Sequence, residues 1–469
     1  MAPPPERDRP PWSWRVDGLF AALAFAATFS AFANSLPNGF VRDDVPILRD
    51  NPRLEDPWNL GALLGTPYWG EERPNARLYR PLALWTHALD RAVFGPGPLG
   101  AHLVNVVGAS FLSALVYAFL FRLTGLRALA LIASLLYGLH PVHAEVVANG
   151  VGRSDIGAAV AALGALLLNL DSVWTDGSWK TGRLRFGGAL LLSLASLGFK
   201  ESAVTLPLLA FGMEAWVLDP VRGGRPPGRL LRLALYALPL GAYLAARWAV
   251  VGSGPPTVPE TLAGATGLQR RLHGCETLLL YLGQLALPLR LCGEYEDFTR
   301  LIRPSLAEPR VLASLLLWPA VALLCIRLAR RGKLVPVYAA AWFFLGILPA
   351  SNLLFTIGTV RAERLLFFPS LGFALALACL LHSLRRIRRI LPVAALLPIL
   401  GFYGWQTVRR NADWRSEESF LEVTLRQNPG NPRLWYSLGD ARLRRGDAGG
   451  AEDALRRSIA LHESAGFFP

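Results

Sequence analysis

The chain has 469 residues, 52% of them hydrophobic and only 17% charged, where soluble domains carry about 25% charged residues. That shortfall, together with apolar runs of bilayer length recurring from Gly18 to Val408, excludes a cytosolic or secreted globule. The net charge of +14, from 48 Lys+Arg against 34 Asp+Glu, falls in short clusters between apolar runs rather than on one face, so no nucleic-acid partner is expected.

Residues 1–17 are rich in Pro and Arg and read as a disordered cytoplasmic N-terminus. A first span follows at 18–36; its Ala31-Phe32-Ala33 ending resembles a signal-peptidase site, but an uncleaved anchor fits the later loops better. The first external loop, 37–98, is too long for a mere connection; it holds Asp43-Asp44, a Pro/Trp-rich stretch and Tyr79-Arg80-Pro81-Leu82. Spans are then expected at 99–121, 128–147, 154–171, 186–199, 202–218 and 231–251, the short pair turning at Lys200-Glu201.

The run 274–292 breaks the parity of crossings and reads as a re-entrant or interfacial helix beside Pro288 and Arg290. Spans at 309–328, 335–350, 365–384 and 391–408 bring the expected total to eleven. Basic clusters at Arg122/Arg127, Lys180/Arg183/Arg185, Arg222/Arg225/Arg229/Arg232, Arg327/Arg330/Arg331/Lys333 and Arg385/Arg386/Arg388/Arg389 go inside. The Asp43 loop, His140 to Arg153, Lys200-Glu201 and Ser351 to Arg364 then lie outside. The domain from 18 to 408 is thus expected to be an all-α polytopic membrane helix bundle.

The tail, 409–469, turns sharply toward Arg, Glu, Asp and Asn and is expected to be external. Trp435, Leu438, Gly439, Gly446, Ala451 and Leu455 fall at tetratricopeptide-repeat positions, with Arg442 in place of the usual tyrosine, and Trp435 is expected to bury between the helices. Residues 417–429 look like the second half of an earlier repeat. So short a repeat region has to dock on the membrane domain, oligomerise or remain marginal, and it could serve a protein partner. Cys275, Cys292, Cys325 and Cys379 show no CxxC or Cys/His spacing and read as small apolar residues.

Polar residues at the outer ends of the spans are the candidates for chemistry. Asp43 and Asp44 are either a solvated pair, with Asp44 as a helix cap, or carboxylates held where a lipid-linked head group meets water. His140, His143 and Glu145 invite a metal, but their spacing is not HExxH and no third firm ligand is evident. His140, His143 and Arg153 would equally suit a phosphate, and Arg153 could instead pair with Asp155 at the start of a span. Lys200-Glu201 is either a structural ion pair or a lysine held by its neighbour to meet a phosphate oxygen. Arg364 and Arg80 are further candidate phosphate clamps, with an ordinary rim charge as the alternative for Arg364.

In this order the motifs resemble the GT-C superfamily of polyprenyl-phosphate-sugar-dependent glycosyltransferases. More closely, the chain is similar to the transmembrane and tetratricopeptide-repeat-containing O-mannosyltransferases and their bacterial relatives. The likeness rests on Phe40 to Val45, Tyr79 to Leu82, His102 to Asn105, His140 to Asp155, Lys200 to Pro207, Ser351 to Gly372 and the terminal repeat.

The resemblance implies an integral-membrane enzyme that moves a sugar, with mannose the family's example, from a polyprenyl phosphate to an external hydroxyl on a protein or glycan. Asp43 or Asp44 would be the base, and Arg80, His140, His143, Arg153, Lys200, Glu201 and Arg364 would surround the donor phosphate. Direct displacement would invert the anomeric carbon, and neither metal nor cofactor is expected. Animal members carry long repeat arrays, whereas this chain has one complete repeat, and Gly254 to Pro259 lacks an Asn-Pro element associated with the family. The Arg/Ala/Gly-rich wording points to a bacterial inner membrane with a periplasmic site, or to the endoplasmic reticulum in a eukaryote. Two other classes fit a polytopic chain: a non-catalytic anchored repeat protein, and a lipid or polymer transporter, which would place charges at mid-membrane.

Overall fold

Proline starts and glycine stops several of the long helices in the computed structural model, which describes residues 10–70, 77–174, 179–218, 228–254, 258–296 and 301–465. Residues 1–9, Arg222, Arg225 and 255–257, all read in the sequence, lie outside the described residues. Helix α1 is Asp17–Phe32. Pro81 opens α2 (Pro81–Phe94), and Pro98 opens α3 (Pro98–Thr124), which ends on Gly125 in the left-handed conformation. Then come α4 (Arg127–Gly138), α5 (Arg153–Trp174), α6 (Trp179–Phe199), α7 (Leu206–Gly212), α8 (Arg229–Leu235) and α9 (Ala237–Val251). The set continues with α10 (Gly267–Ala286), α11 (Pro309–Arg330), α12 (Leu334–Ile347), α13 (Ser370–Leu384) and α14 (Leu391–Asn411). The tail forms α15 (Glu417–Gln427), α16 (Pro432–Arg444) and α17 (Ala448–Ala465), and no strand occurs among the described residues.

Six helices among the described residues are long and apolar enough to cross a bilayer, or seven if α4 and Pro141–Val147, bent by 48°, form one span. Apolar α12 and α13 are shorter, and the expected span 202–218 is a short α-helix followed by a π turn at Met213–Leu218. The expected 274–292 helix is α10, seven residues earlier at its start, because Thr266 and Gln269 form a reciprocal capping box there. With Arg270, Arg271 and Glu276 along it, α10 is not among the six.

The interior is built on aromatic and small residues. Phe119 of α3 meets Trp342 of α12, and Tyr338 and Trp342 pack edge to face. Backbones come close where side chains are missing: a Cβ on Gly138 would lie 2.1 Å from Thr28 Oγ1, and one on Gly372 only 2.5 Å from the carbonyl oxygen of Ala339. The outer helices are different. Only 11% of the most apolar stretch of α11 and 17% of that of α14 is buried within the chain, so lipid has to cover the rest.

Charged groups collect at the two ends of the bundle. At one end, Arg127 clamps buried Asp17 with two bonds of 2.8 and 2.9 Å, and Arg232 meets buried Glu214 at 3.0 Å. The other end holds the first loop, residues 140–153, Lys200 and residues 351–364, and the tail docks there. Its core of Trp414, Phe420, Leu421, Leu425, Leu434 and Leu438 also takes in Val41 and Ala148 of the membrane part. Gln427 donates to the Leu291 carbonyl at 2.7 Å, and Asn428 and Asn431 donate to that of Glu296 at 2.8 and 3.0 Å. Of the three fates open to so short a repeat, this is docking. Trp435 is only half-buried, under the guanidinium of Arg457, and Leu434 takes the interior place instead.

The interface has one tight point, where Phe420 fills the space beside Gly293: an added Cβ would lie 2.2 Å from Phe420 Cε2. Gly293→Val is therefore expected to loosen the tail by about 1–3 kcal/mol. Limited proteolysis should release a tail fragment from this variant faster than from wild type; equal rates would show that the contact is dispensable.

Candidate active site

The two adjacent aspartates have opposite surroundings. Asp44 is completely buried, and its carboxylate accepts the backbone N–H groups of Val151 at 2.8 Å, Gly150 at 3.1 Å and Val41 at 3.3 Å. It fastens the first loop to the turn that precedes α5. Burial outweighs those three bonds and pushes its pKa up to about 7. A carboxyl raised on folding stabilises the native state fully below its unfolded pKa, and that contribution disappears as pH rises through the folded value. The thermal midpoint of the purified protein should therefore carry a component that falls from about pH 4 to about pH 7. Asp44→Asn should remove that component; parallel curves for the two proteins would contradict the assignment.

Asp43 is half-exposed, and no hydrogen bond or ion pair of its carboxylate occurs among the described residues. Its charge nonetheless acts on Tyr68, Glu294 and Arg364. Arg364 belongs to one of three cation–carboxylate pairs drawn from distant parts of the chain.

Lys200 Nζ donates to Asp155 Oδ1 at 2.6 Å. Arg80 grips Glu201 with two bonds, 3.0 Å from Nε and 2.6 Å from Nη2, and lies over the ring of Tyr68. Arg364 uses its backbone N–H at 2.8 Å and Nη1 at 2.5 Å to hold both oxygens of buried Glu145. Burial depresses the Lys200 pKa against the pull of Asp155. For Arg364, burial also opposes the charge, but Glu145, Asp43 and Asp155 together raise its pKa. Asp155 bonds Lys200, and its charge also favours the charged forms of Arg80 and Arg364 to a lesser degree than their own partners do.

The adjacent pair read in the sequence is therefore rearranged: Lys200 turns to Asp155, and Glu201 to Arg80. Lys200 keeps two further N–H donors beyond its bond to Asp155, and the Arg364 side chain is 41% exposed. Arg364 is thus open at the surface of the group, whereas the Lys200 side chain is buried.

Arg153, His140 and His143 are engaged elsewhere. Arg153 donates to Asn105 Oδ1 at 2.7 Å and to Asp90 Oδ2 at 2.6 Å, not to Asp155, and its Nη1 is buried without a partner. His140 Nδ1 accepts the Val142 N–H, so Nε2–H donates to the Leu285 carbonyl at 3.0 Å. Ser370 gives its hydroxyl proton to Phe367, so His143 Nε2–H donates to Ser370 Oγ at 2.8 Å. Both rings are buried among aromatic neighbours, His140 near Tyr403 and His143 between Tyr137 and Phe367. They fit neutral packing residues rather than phosphate ligands. No group of three or more His, Cys, Asp or Glu that could hold a metal ion occurs among the described residues.

Next to these pairs, an apolar cavity of about 670 Å³ opens between α2, α3, α5 and α6, with Phe111, Leu115, Val160 and Leu192 along it. Asp90 and Arg153 line it too, as does Phe199, the residue before Lys200. The Phe199 ring presses on Gly157, where an added Cβ would lie 2.3 Å from it.

The sequence alone does not single out Asp90 or Glu294, and it suggests other roles for Asp155 and Glu145. One signal for Asp155 was present: a lysine at a bilayer surface needs an anion, and the first turn of α5 carries Asp155. Nothing local in the sequence announces Glu294.

No family model matches the chain. It is 27% identical to human protein O-mannosyl-transferase TMTC4 over 92% of its own length and 64% of that protein's. It is 28% identical to mouse TMTC3, covering 89% of this chain and 48% of the relative. With Drosophila melanogaster Tmtc3 the identity is 27%, over 88% and 52%. The chain thus spans less than two thirds of the length of these curated relatives. Among solved structures it is similar to ArnT from Cupriavidus metallidurans in the apo state, at TM-score 0.43, 16% identity, 96% of this chain and 77% of that one. ArnT bound to undecaprenyl phosphate gives TM-score 0.42, again at 16% identity, over 97% of this chain and 78% of that one. Across 92% of its length, then, the chain is similar to O-mannosyl-transferases of the kind its motifs resemble.

Proposed function

We propose that the protein is a GT-C-type membrane glycosyltransferase that moves a sugar from a polyprenyl-phosphate donor to a hydroxyl on a protein or glycan acceptor. The observation that carries this reading is the placement of Asp43. Its carboxylate is unengaged and its charge acts on Arg364, while the three cations Arg364, Lys200 and Arg80 are paired with Glu145, Asp155 and Glu201.

An acceptor hydroxyl is a weak nucleophile, and Asp43 would take its proton as oxygen attacks the anomeric carbon. The bond from that carbon to the phosphate oxygen breaks, and the departing phosphate gains negative charge. Lys200 and Arg364 would stabilise it through their remaining N–H groups, where little water competes. Displacement in one step inverts the anomeric centre. The apolar cavity beside Phe199 suits part of an isoprenoid chain. Asp44, His140, His143 and Arg153 support the fold around the site instead.

The basic clusters at the far end of the bundle support an orientation with this end outside the cytoplasm, periplasmic if the source is bacterial. Mannose is the sugar in the names of the curated relatives and the first to try. The full chain in lipid nanodiscs, offered polyprenyl-phosphate mannose, glucose and other hexoses with a hydroxyl acceptor, should release polyprenyl phosphate with at least one of them. Release from none of the donors would contradict the reading and favour the anchored repeat protein.

A further inference from the structure

Among the described residues only Arg42 and Asn352 combine a side chain with positive φ, and Arg42, at φ 55, immediately precedes Asp43. A β-carbon is disfavoured in that conformation, so it persists where the surroundings impose it. Here most of those surroundings come from the tail. The Arg42 backbone N–H donates to Glu417 Oε2 at 2.6 Å, and its Nη1 donates to Ser437 Oγ at 3.2 Å. Its guanidinium lies 3.5 Å from Glu417 and 3.8 Å from Glu294. One residue earlier, Val41 is buried in the tail's core, and the Gly39 N–H donates to the Arg415 carbonyl at 2.9 Å. On the far side of Asp43, Asp44 is pinned by its three backbone bonds.

Asp43 is thus suspended between two fixed peptides with its own carboxylate unengaged. We infer that Arg42 is a positioning residue for Asp43, held in place by Glu417 and Ser437, so that the C-terminal helices complete the catalytic apparatus rather than append a separate module to it. The inference rests on the reading of Asp43 as the base. It also assigns the tail a task inside the protein that needs no array of repeats.

The test compares Glu417→Ala, Glu417→Gln, Ser437→Ala and Asp43→Asn with wild type, as full chains in nanodiscs turning over a polyprenyl-phosphate sugar. Misplacing a reacting group by about 1 Å can cost about a hundredfold in rate. Glu417→Ala is expected to lower kcat at least about tenfold. The donor KM should stay within about twofold, because the groups proposed to meet the donor phosphate lie on other elements. Glu417→Gln keeps an oxygen for the Arg42 N–H and should recover most of the loss, which a merely structural defect would not do. Ser437→Ala removes one side-chain bond and should move kcat the same way by less; it decides the matter if Glu417→Ala fails to fold.

Unchanged kcat in Glu417→Ala, or in Ser437→Ala where that variant decides, would overturn the inference. So would a rise in donor KM alone, or a loss that follows the fraction of unfolded protein. If Asp43→Asn is inactive while the tail variants are normal, this inference fails and the functional reading stands. Wild-type turnover by Asp43→Asn would remove Asp43 as the base, and this inference with it, while the transferase activity itself would stand.

Discussion

Asp43→Asn is expected to lower turnover by about 10²–10⁴-fold, the usual weight of a general base, with little change in thermal midpoint or donor affinity. Asp44→Asn should behave in the opposite way. The reason is the hydrogen-bond inventory of the two side chains. Asp44 is buried with backbone N–H groups on both oxygens, so it cannot approach a substrate hydroxyl without dismantling the turn at Gly150 and Val151. An asparagine there would turn an N–H group toward a backbone donor, costing about 1–3 kcal/mol of stability. Asp43 has no such duty, and replacing it removes a proton acceptor and little else. Turnover and thermal midpoint measured on both variants check this; normal turnover with a lowered midpoint in Asp43→Asn would reverse the assignment.

Arg153→Met is expected to cost about 3–5 kcal/mol, because it strands the Asp90 carboxylate in the interior. Arg153 and Asp90 are 4% and 9% exposed, and Asn105 and the Ala101 carbonyl complete the arginine's partners. The double variant Asp90→Leu/Arg153→Met, which removes both charges, should be markedly more stable than the single one. Thermal unfolding of the two variants decides the point. A single variant that keeps wild-type stability but binds donor weakly would return Arg153 to the donor phosphate.

The membrane bundle was legible because bilayer spans need long apolar runs, and proline and glycine mark their ends. The first span, the long third helix and the amphipathic tail all stand close to their expected bounds. Legibility failed where helices are short or broken. Leu139-His140 and the π turn at Met213–Leu218 interrupt expected spans, since packing inside the bundle relaxes the need for unbroken helix. The start of α10 follows from a capping box that apolar runs do not reveal.

At the candidate site, the sequence singled out loops that the structure gathers at one end of the bundle, but not the pairs their side chains form. Chain neighbours such as Lys200 and Glu201 invite pairing, yet their backbone turns them to Asp155 and Arg80, which is 121 residues from Glu201. His140, His143 and Arg153 attract attention because polar residues near a bilayer often do chemistry. Their hydrogen bonds to Leu285, Ser370 and Asp90 are long-range, and so invisible in a linear reading. The left-handed Arg42 is likewise set by the tail, whose Glu417 lies 375 residues away.

The most direct test of the central claim is a structure of the full chain in a nanodisc with polyprenyl phosphate bound. The account predicts the phosphate within hydrogen-bond reach of Lys200 and Arg364, with Asp43 facing the place where the anomeric carbon would be. A phosphate held at the opposite end of the bundle, near Arg122 or Arg127, would contradict it.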